Sequence, residues 1–213
     1  MQKRATKPGR AGKHCSSNCP DLDFDLQPTL ISELLELRPL KPEDFDALFR
    51  AASDPLIWEQ HPESDRYTPE VFQTYFDGAL QSGGAFAIVE RKTGRIIGSS
   101  RYWNFDPEQS EIEIGWTFLE RKFWGGDYNR ELKRLMLEHA LRFVDRVLFV
   151  VGENNFRSQK ALEKIGATLL RRIEKQDRHR VPQTNFVFKI DRPSFAKMPV
   201  RLGPTAGRGS FLA

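Results

Sequence analysis

At 213 residues, with 39% hydrophobic and 29% charged residues, the chain has the composition of one globular domain with loose ends, which excludes wholesale disorder. The net charge of +4 sits at the ends: residues 1–30 hold five Lys/Arg against three Asp, and residues 191–213 hold four against one, leaving residues 31–190 at −1. A near-neutral body excludes an extended nucleic-acid-binding face and leaves room for a small anionic ligand that needs only a local cradle.

In chain order, residues 1–30 mix Lys, Arg, Gly, Ser, Asn and Pro and read as a flexible basic leader. It carries both cysteines, Cys15 and Cys19, beside His14. No second Cys/His pair follows to complete a metal site, so no metal is expected. The leader lacks an apolar signal core and no run reaches membrane-spanning length, which points to a cytoplasmic protein without a membrane partner.

The expected folded body covers residues 31–192. Glu33–Leu40 reads as a first strand, and Pro42 followed by Glu43 and Asp44 opens a helix to about Ala52. Thr68-Pro69-Glu70 opens a second helix, with Val71, Phe72, Tyr75, Phe76, Ala79 and Leu80 at helical spacing and Gly83-Gly84 as its stop. Ala85–Glu90 and Arg95–Phe105 read as a hairpin, and residues 110–119 as the next strand. Beyond the loop Lys122-Phe123-Trp124-Gly125-Gly126-Asp127-Tyr128-Asn129 comes a helix with one apolar face at 132, 135, 136, 140, 143 and 144. Val147–Val151 is a short buried strand, and Asn155–Ile165 a helix closed by Gly166. Thr168–Arg172 and Asn185–Ile190 are the last strands, and residues 193–213 form a Pro/Gly-rich tail. A mixed sheet with helices on both faces follows from that order.

The strand–glycine loop–helix unit at 111–144 carries the function. Loop amides and the positive end of a helix hold an anion such as phosphate, and glycine lets the backbone approach it closely. Gly-Lys-Ser/Thr is missing, so this is not a nucleotide P-loop.

Two motifs now make a resemblance. Lys122-x-x-Gly125-Gly126-Asp127 precedes a helix, and Asn155-Phe156-Arg157-Ser158 leads to Lys164-Ile165-Gly166. With this element order the chain resembles the GNAT superfamily of acyl-CoA-dependent N-acetyltransferases over residues 33–190, in its RimJ/RimL-like, ribosomal-protein-acetylating branch. The resemblance implies an α/β fold with a mixed central sheet of about seven strands flanked by about four helices. It implies transfer of the acetyl group of acetyl-CoA, the cosubstrate, directly to a primary amine on a protein N-terminus or a small molecule. Lys122, Gly125, Gly126, Asp127, Tyr128 and Asn129 would wrap the pyrophosphate; Trp116, Thr117 and Phe118 would meet the pantetheine arm, with Asn155 opposite.

For the base, Glu113 is the choice and Glu111, on the same strand face, the reserve; both are also what solvent-facing strand carboxylates look like. The family's usual acid, a Tyr seven residues after the Asn, is here Leu162, which cannot donate. Ser158 is the alternative donor, unless it serves its helix as a first-turn serine. Asp127 stands where Gly or Ala is usual and must turn its carboxylate away from phosphate. Acceptor recognition is expected from the first two helices, the segment 56–67 between them and the last strand pair. There Trp58, Tyr67 and Trp103 would wall an amine slot, with Glu59 or Glu63 attracting an ammonium. Trp58 also reads as packing against its helix, and His61 before Pro62 as a loop residue. The alternative function is a catalytically weak acyl-CoA-binding sensor or scaffold; an RNA partner for the basic ends is the third. The sequence allows a homodimer, and the tails say nothing about oligomeric state.

Overall fold

The computed structural model describes residues 24–177 and 180–198. Among them are eight strands: β1 (Leu30–Ile31), β2 (Leu35–Pro39), β3 (Ala85–Glu90), β4 (Arg95–Asp106), β5 (Glu111–Leu119), β6 (Arg146–Gly152), β7 (Thr168–Gln176) and β8 (Pro182–Asp191). Five helices accompany them: α1 (Phe45–Ala52), α2 (Pro69–Gln81), α3 (Asp127–Ala140), α4 (Phe156–Lys164) and α5 (Arg192–Phe195). The expected order is present, with β1 and α5 added and the last two strands longer than anticipated. His14, Cys15 and Cys19 lie outside the described residues. Packing extends beyond the expected bounds of the body at 31 and 192: Phe24 stacks on Phe143 at 4.8 Å, and Met198 is buried in the core.

All strands form one sheet in the order β1-β2-β3-β4-β5-β6-β8-β7. Every pair is antiparallel except β5–β6. Alternation in β3 shows why helices cover both faces. Phe86 and Ile88 join a core with Ile112, Ile114, Leu132, Met136 and Leu162, the layer of α3 and α4. Ala85 and Ala87 join a second core with Leu48, Trp58, Phe72, Tyr75, Phe76 and Phe118, the layer of α1 and α2.

Two irregularities of β5 create the site. Its ladder with β6 is formed only by Glu111–Glu113 against Arg146–Leu148, after which the strands part. Its ladder with β4 slips by one residue, since Ser99 pairs with Phe118 but Arg101 with Gly115. The extra residue is a β-bulge, and Trp116 takes a positive φ of 51° within it. Gly98 fits against this turn because a Cβ there would lie 2.1 Å from the Phe118 carbonyl oxygen. The bulge also switches parity. Before it Ile112 and Ile114 face α3, and after it Leu119 does, so Thr117 turns toward α3 while Glu113 and Phe118 face the α1–α2 layer.

Candidate functional site

The parting of β5 and β6 opens a cleft of about 300 Å³. Glu113–Thr117 form one wall, Phe149–Gly152 the facing strand, and Asn129 and Lys133 of α3 reach in from one layer. The α1–α2 segment contributes Trp58, His61, Pro62, Glu63 and Arg66. Helix α4 adds Asn155, Ser158 and Leu162, and the last hairpin adds Lys175, Gln176, Asp177, Gln183 and Asn185. The helix connection and the final strand pair, both expected to serve the acceptor, meet here at the same opening.

Glu113 is 7% exposed, so it is not the solvent-facing strand carboxylate that its sequence position also permitted. Burial raises its pKa, with Lys175 and a hydrogen bond from Asn104 partly offsetting the rise. A carboxylate poised upward in a cleft suits a proton acceptor near neutral pH. Glu111 is instead held by Arg146 at 2.6 Å and does not line the cleft.

Asn155 is the N-cap of α4, its Oδ1 accepting the Ser158 amide at 3.1 Å. Its amide NH₂ is therefore the side-chain group left to meet a ligand. The same bond frees Ser158 from capping duty and leaves its hydroxyl at the cleft wall. Leu162 is buried in that wall and offers no proton.

The glycine loop lies outside this cavity, of which it lines only the Asn129 edge. Gly125 adopts φ +70°, with open space where a Cβ would stand, and Gly126 is the N-cap of α3. The first amides of α3 thus lie beside an uncrowded backbone, the arrangement that an anion needs. Asp127 pairs with Arg130, which turns its carboxylate along the helix. Lys122 pairs with Glu120 at 3.1 Å, and the Tyr128 hydroxyl donates to Glu90 at 2.9 Å with its ring against Phe123. Tyr128 is thus partly buried against the core, with its hydroxyl already engaged.

Of the expected acceptor residues, the structure brings Trp58 and Glu63 to the cleft. Trp58 is 3% exposed, donates Nε1–H to the Ala52 carbonyl at 2.8 Å, and packs on Phe118, so it is mainly a core residue. Glu59 pairs with Arg157 at 3.3 Å, and Tyr67 and Trp103 are exposed, Trp103 packing edge-on to Trp116. Those three do not line the cavity, nor does Phe118, whose ring is in the α1–α2 core. The slot is walled by the expected Glu63 together with His61 and Arg66. Glu63 accepts from Arg66 at 2.5 Å, and the Arg66 guanidinium lies over Trp58 and Tyr75. Burial, reinforced by Arg66, pushes the His61 imidazole down to about 3, so it is neutral at pH 7 and a weak base.

Lys133 is the residue that sequence reading missed. It is 6% exposed and donates from Nζ to Thr117 Oγ1 at 2.7 Å, with Phe149 at 5.3 Å. Burial lowers its pKa to about 7. The signal was available: Lys133 sits four residues after Asn129, inside the apolar stripe of α3 where a solvent-seeking lysine has no reason to be. Among the described residues no group of His, Cys, Asp and Glu could hold a metal ion, and no helix is long and apolar enough to cross a membrane.

Comparison with known proteins agrees with the fold. Residues 35–168 match the family model described as Acetyltransferase (GNAT) domain. The chain is 28% identical over 157 residues to the uncharacterized N-acetyltransferase p20 of Bacillus licheniformis, covering 69% of this chain and 88% of that protein. The crystal structure of a GCN5-related N-acetyltransferase from Brucella melitensis matches with TM-score 0.72 at 19% identity, over 80% of this chain and 81% of that one. Mycobacterium smegmatis RimJ in complex with CoA-disulfide matches with TM-score 0.60 at 16% identity, over 77% and 85%. At those identities the two structures show a shared fold.

Proposed function

Since this chain belongs to the GNAT family and is an acetyltransferase, we propose that it moves the acetyl group of acetyl-CoA directly to a primary amine, on a protein N-terminus or a small molecule, in the manner of the RimJ/RimL-like branch. The observation that carries this reading is the cleft where β5 leaves β6, with a buried carboxylate, Glu113, at its edge. Strand backbone freed from its ladder offers hydrogen-bonding groups to the amides of a pantetheine arm. The uncrowded amides from Gly125 to Asn129 suit the pyrophosphate, and Asn155 faces the arm from α4. Glu113 takes the proton of the attacking amine, and a β5 amide near Thr117 stabilises charge on the acetyl oxygen. RimJ of Mycobacterium smegmatis, in complex with CoA-disulfide, supports a CoA-type ligand by analogy.

The test is release of free thiol from acetyl-CoA over a library of peptides and amines, with acetylated products identified by mass spectrometry. Thiol release tied to one acceptor class supports the reading. The buried Leu162 favours one competitor, an acyl-CoA sensor without turnover. Tight acetyl-CoA binding with no acetylated product from any amine would select that competitor.

A further inference from the structure

We propose that Lys133 is a catalytic residue of this transfer, the proton donor to the departing CoA thiolate, in the place that Leu162 leaves empty. The inference rests on the acetyl-CoA reading above. Its first support is placement. The bulge in β5 sends Thr117 to the α3 face and Glu113 to the α1–α2 face, yet Glu113 and Lys133 line the same cleft. Base and acid thus approach one gap from opposite layers of the sheet, as an amine entering on one side and a thiolate leaving on the other require.

The second support is the absence of any internal counter-charge. Among the described residues Lys133 forms no ion pair, and its partners are Thr117 Oγ1 and the Phe149 ring. Thr117 Oγ1 is itself 2.7 Å from Ser100 Oγ, which fixes the hydroxyl that holds Nζ. The charged groups facing the cleft from the other elements are Glu113, Glu63, Arg66, Lys175 and Asp177, with neutral His61. Burying an unpaired ammonium costs stability, so a lysine retained there needs a ligand that repays it. A pKa near 7 lets it both give and regain a proton at neutral pH.

The step balances. The nitrogen of a neutral amine bonds to the acetyl carbon and passes a proton to Glu113. The carbon–sulfur bond breaks with its electron pair on sulfur, and the Lys133 ammonium gives that sulfur a proton. The products are the N-acetylated acceptor and CoA thiol. Solvent at the open cleft returns the proton from Glu113 to Lys133.

The experiment titrates the thiol of CoA bound to the full chain by thiolate ultraviolet absorbance, for the wild type, Lys133→Met and Lys133→Arg. The wild type should ionise the bound thiol about one pH unit or more below Lys133→Met, as a nearby positive charge does. Lys133→Arg, whose charge cannot be discharged, should keep the low value yet lose ~10²-fold or more in kcat with an acetyl-CoA KM near wild type. An unchanged thiol pKa in Lys133→Met that still binds CoA overturns the role of Lys133 alone, as does wild-type kcat in Lys133→Arg. Failure of the wild type to bind CoA overturns the acetyl-CoA reading together with this one.

Discussion

The loop from Trp124 to Asn129 and the cleft between β5 and β6 use the chain in opposite ways. The loop is contiguous and offers its backbone: its side chains are engaged elsewhere, Tyr128 with Glu90 and Asp127 with Arg130. The cleft is assembled from six separate stretches and acts through side chains, with Glu113 from β5, His61 and Arg66 from the α1–α2 segment, Lys133 from α3 and Ser158 from α4. Arg157 ties the two together, donating to the Ile57 carbonyl at 2.7 Å while its guanidinium lies over Trp124 at 4.1 Å. A backbone-built site tolerates side-chain drift such as Asp127. A side-chain-built site changes its chemistry with one substitution.

That contrast is open to attack by mutation. The largest effect is expected from Glu113→Gln, which should lower kcat by ~10²–10⁴-fold while CoA affinity, measured by calorimetry, stays within about twofold. Wild-type turnover would remove Glu113 as base. Trp58→Ala should destabilise the fold by ~3–5 kcal/mol in urea unfolding, whereas Tyr67→Ala should stay within about 0.5 kcal/mol. Equal losses would return Tyr67 to the cleft wall. Gly125→Val places a β-branched residue at positive φ, a strain of ~1–3 kcal/mol, and fills the open approach, so CoA binding should weaken about tenfold or more with Glu113 chemistry intact at saturation. Unaltered affinity would sink the loop as the phosphate cradle.

The smallest expected effects are in stability against pH, and they differ in sign. Lys133 has a folded pKa of about 7 against ~10.4 unfolded, so the unfolded chain holds more protons between those values and stability rises with pH across that window. Lys133→Met should therefore gain more stability at pH 6 than at pH 10 in thermal melts. Glu113 is raised when folded, so the folded chain holds more protons above the unfolded value near ~4.3, and stability falls as pH climbs through that region. Glu113→Gln should melt higher than wild type at neutral pH, with the gain vanishing toward pH 3.

Much of this was legible along the chain because it is local. Pro42 and Pro69 mark helix starts, period-two alternation marks β5, and Gly125-Gly126 before an apolar-striped helix marks the loop that leads into α3. What escaped is what depends on a third dimension. The bulge at Trp116 has no sequence signature in Gly115-Trp116-Thr117, yet it decides which face Thr117 meets and therefore where Lys133 points. Tyr67 and Trp103 read as binding residues by type alone; in the fold both are exposed, Trp103 on β4 with its edge against Trp116, while Trp58 takes the place on Tyr75 and Phe118. Glu111 and Glu113 are indistinguishable in sequence, and Arg146 on the neighbouring strand is what separates them.

The short β5–β6 ladder has a mechanical consequence. The sheet amounts to two plates, β1 to β5 and β6 with β8 and β7, joined along their shared seam by three residues on each strand. A molecule wedged in that seam bonds to both plates and acts as a rivet, so its concentration should set how rigidly they are held. By mass action a ligand at a hundredfold excess over its Kd adds ~2.7 kcal/mol to the folded state. Amides flanking the seam, from Gly115 to Phe118 and from Phe149 to Gly152, should then exchange hydrogen more slowly as CoA is added, while those of β2 and β3 keep their rates.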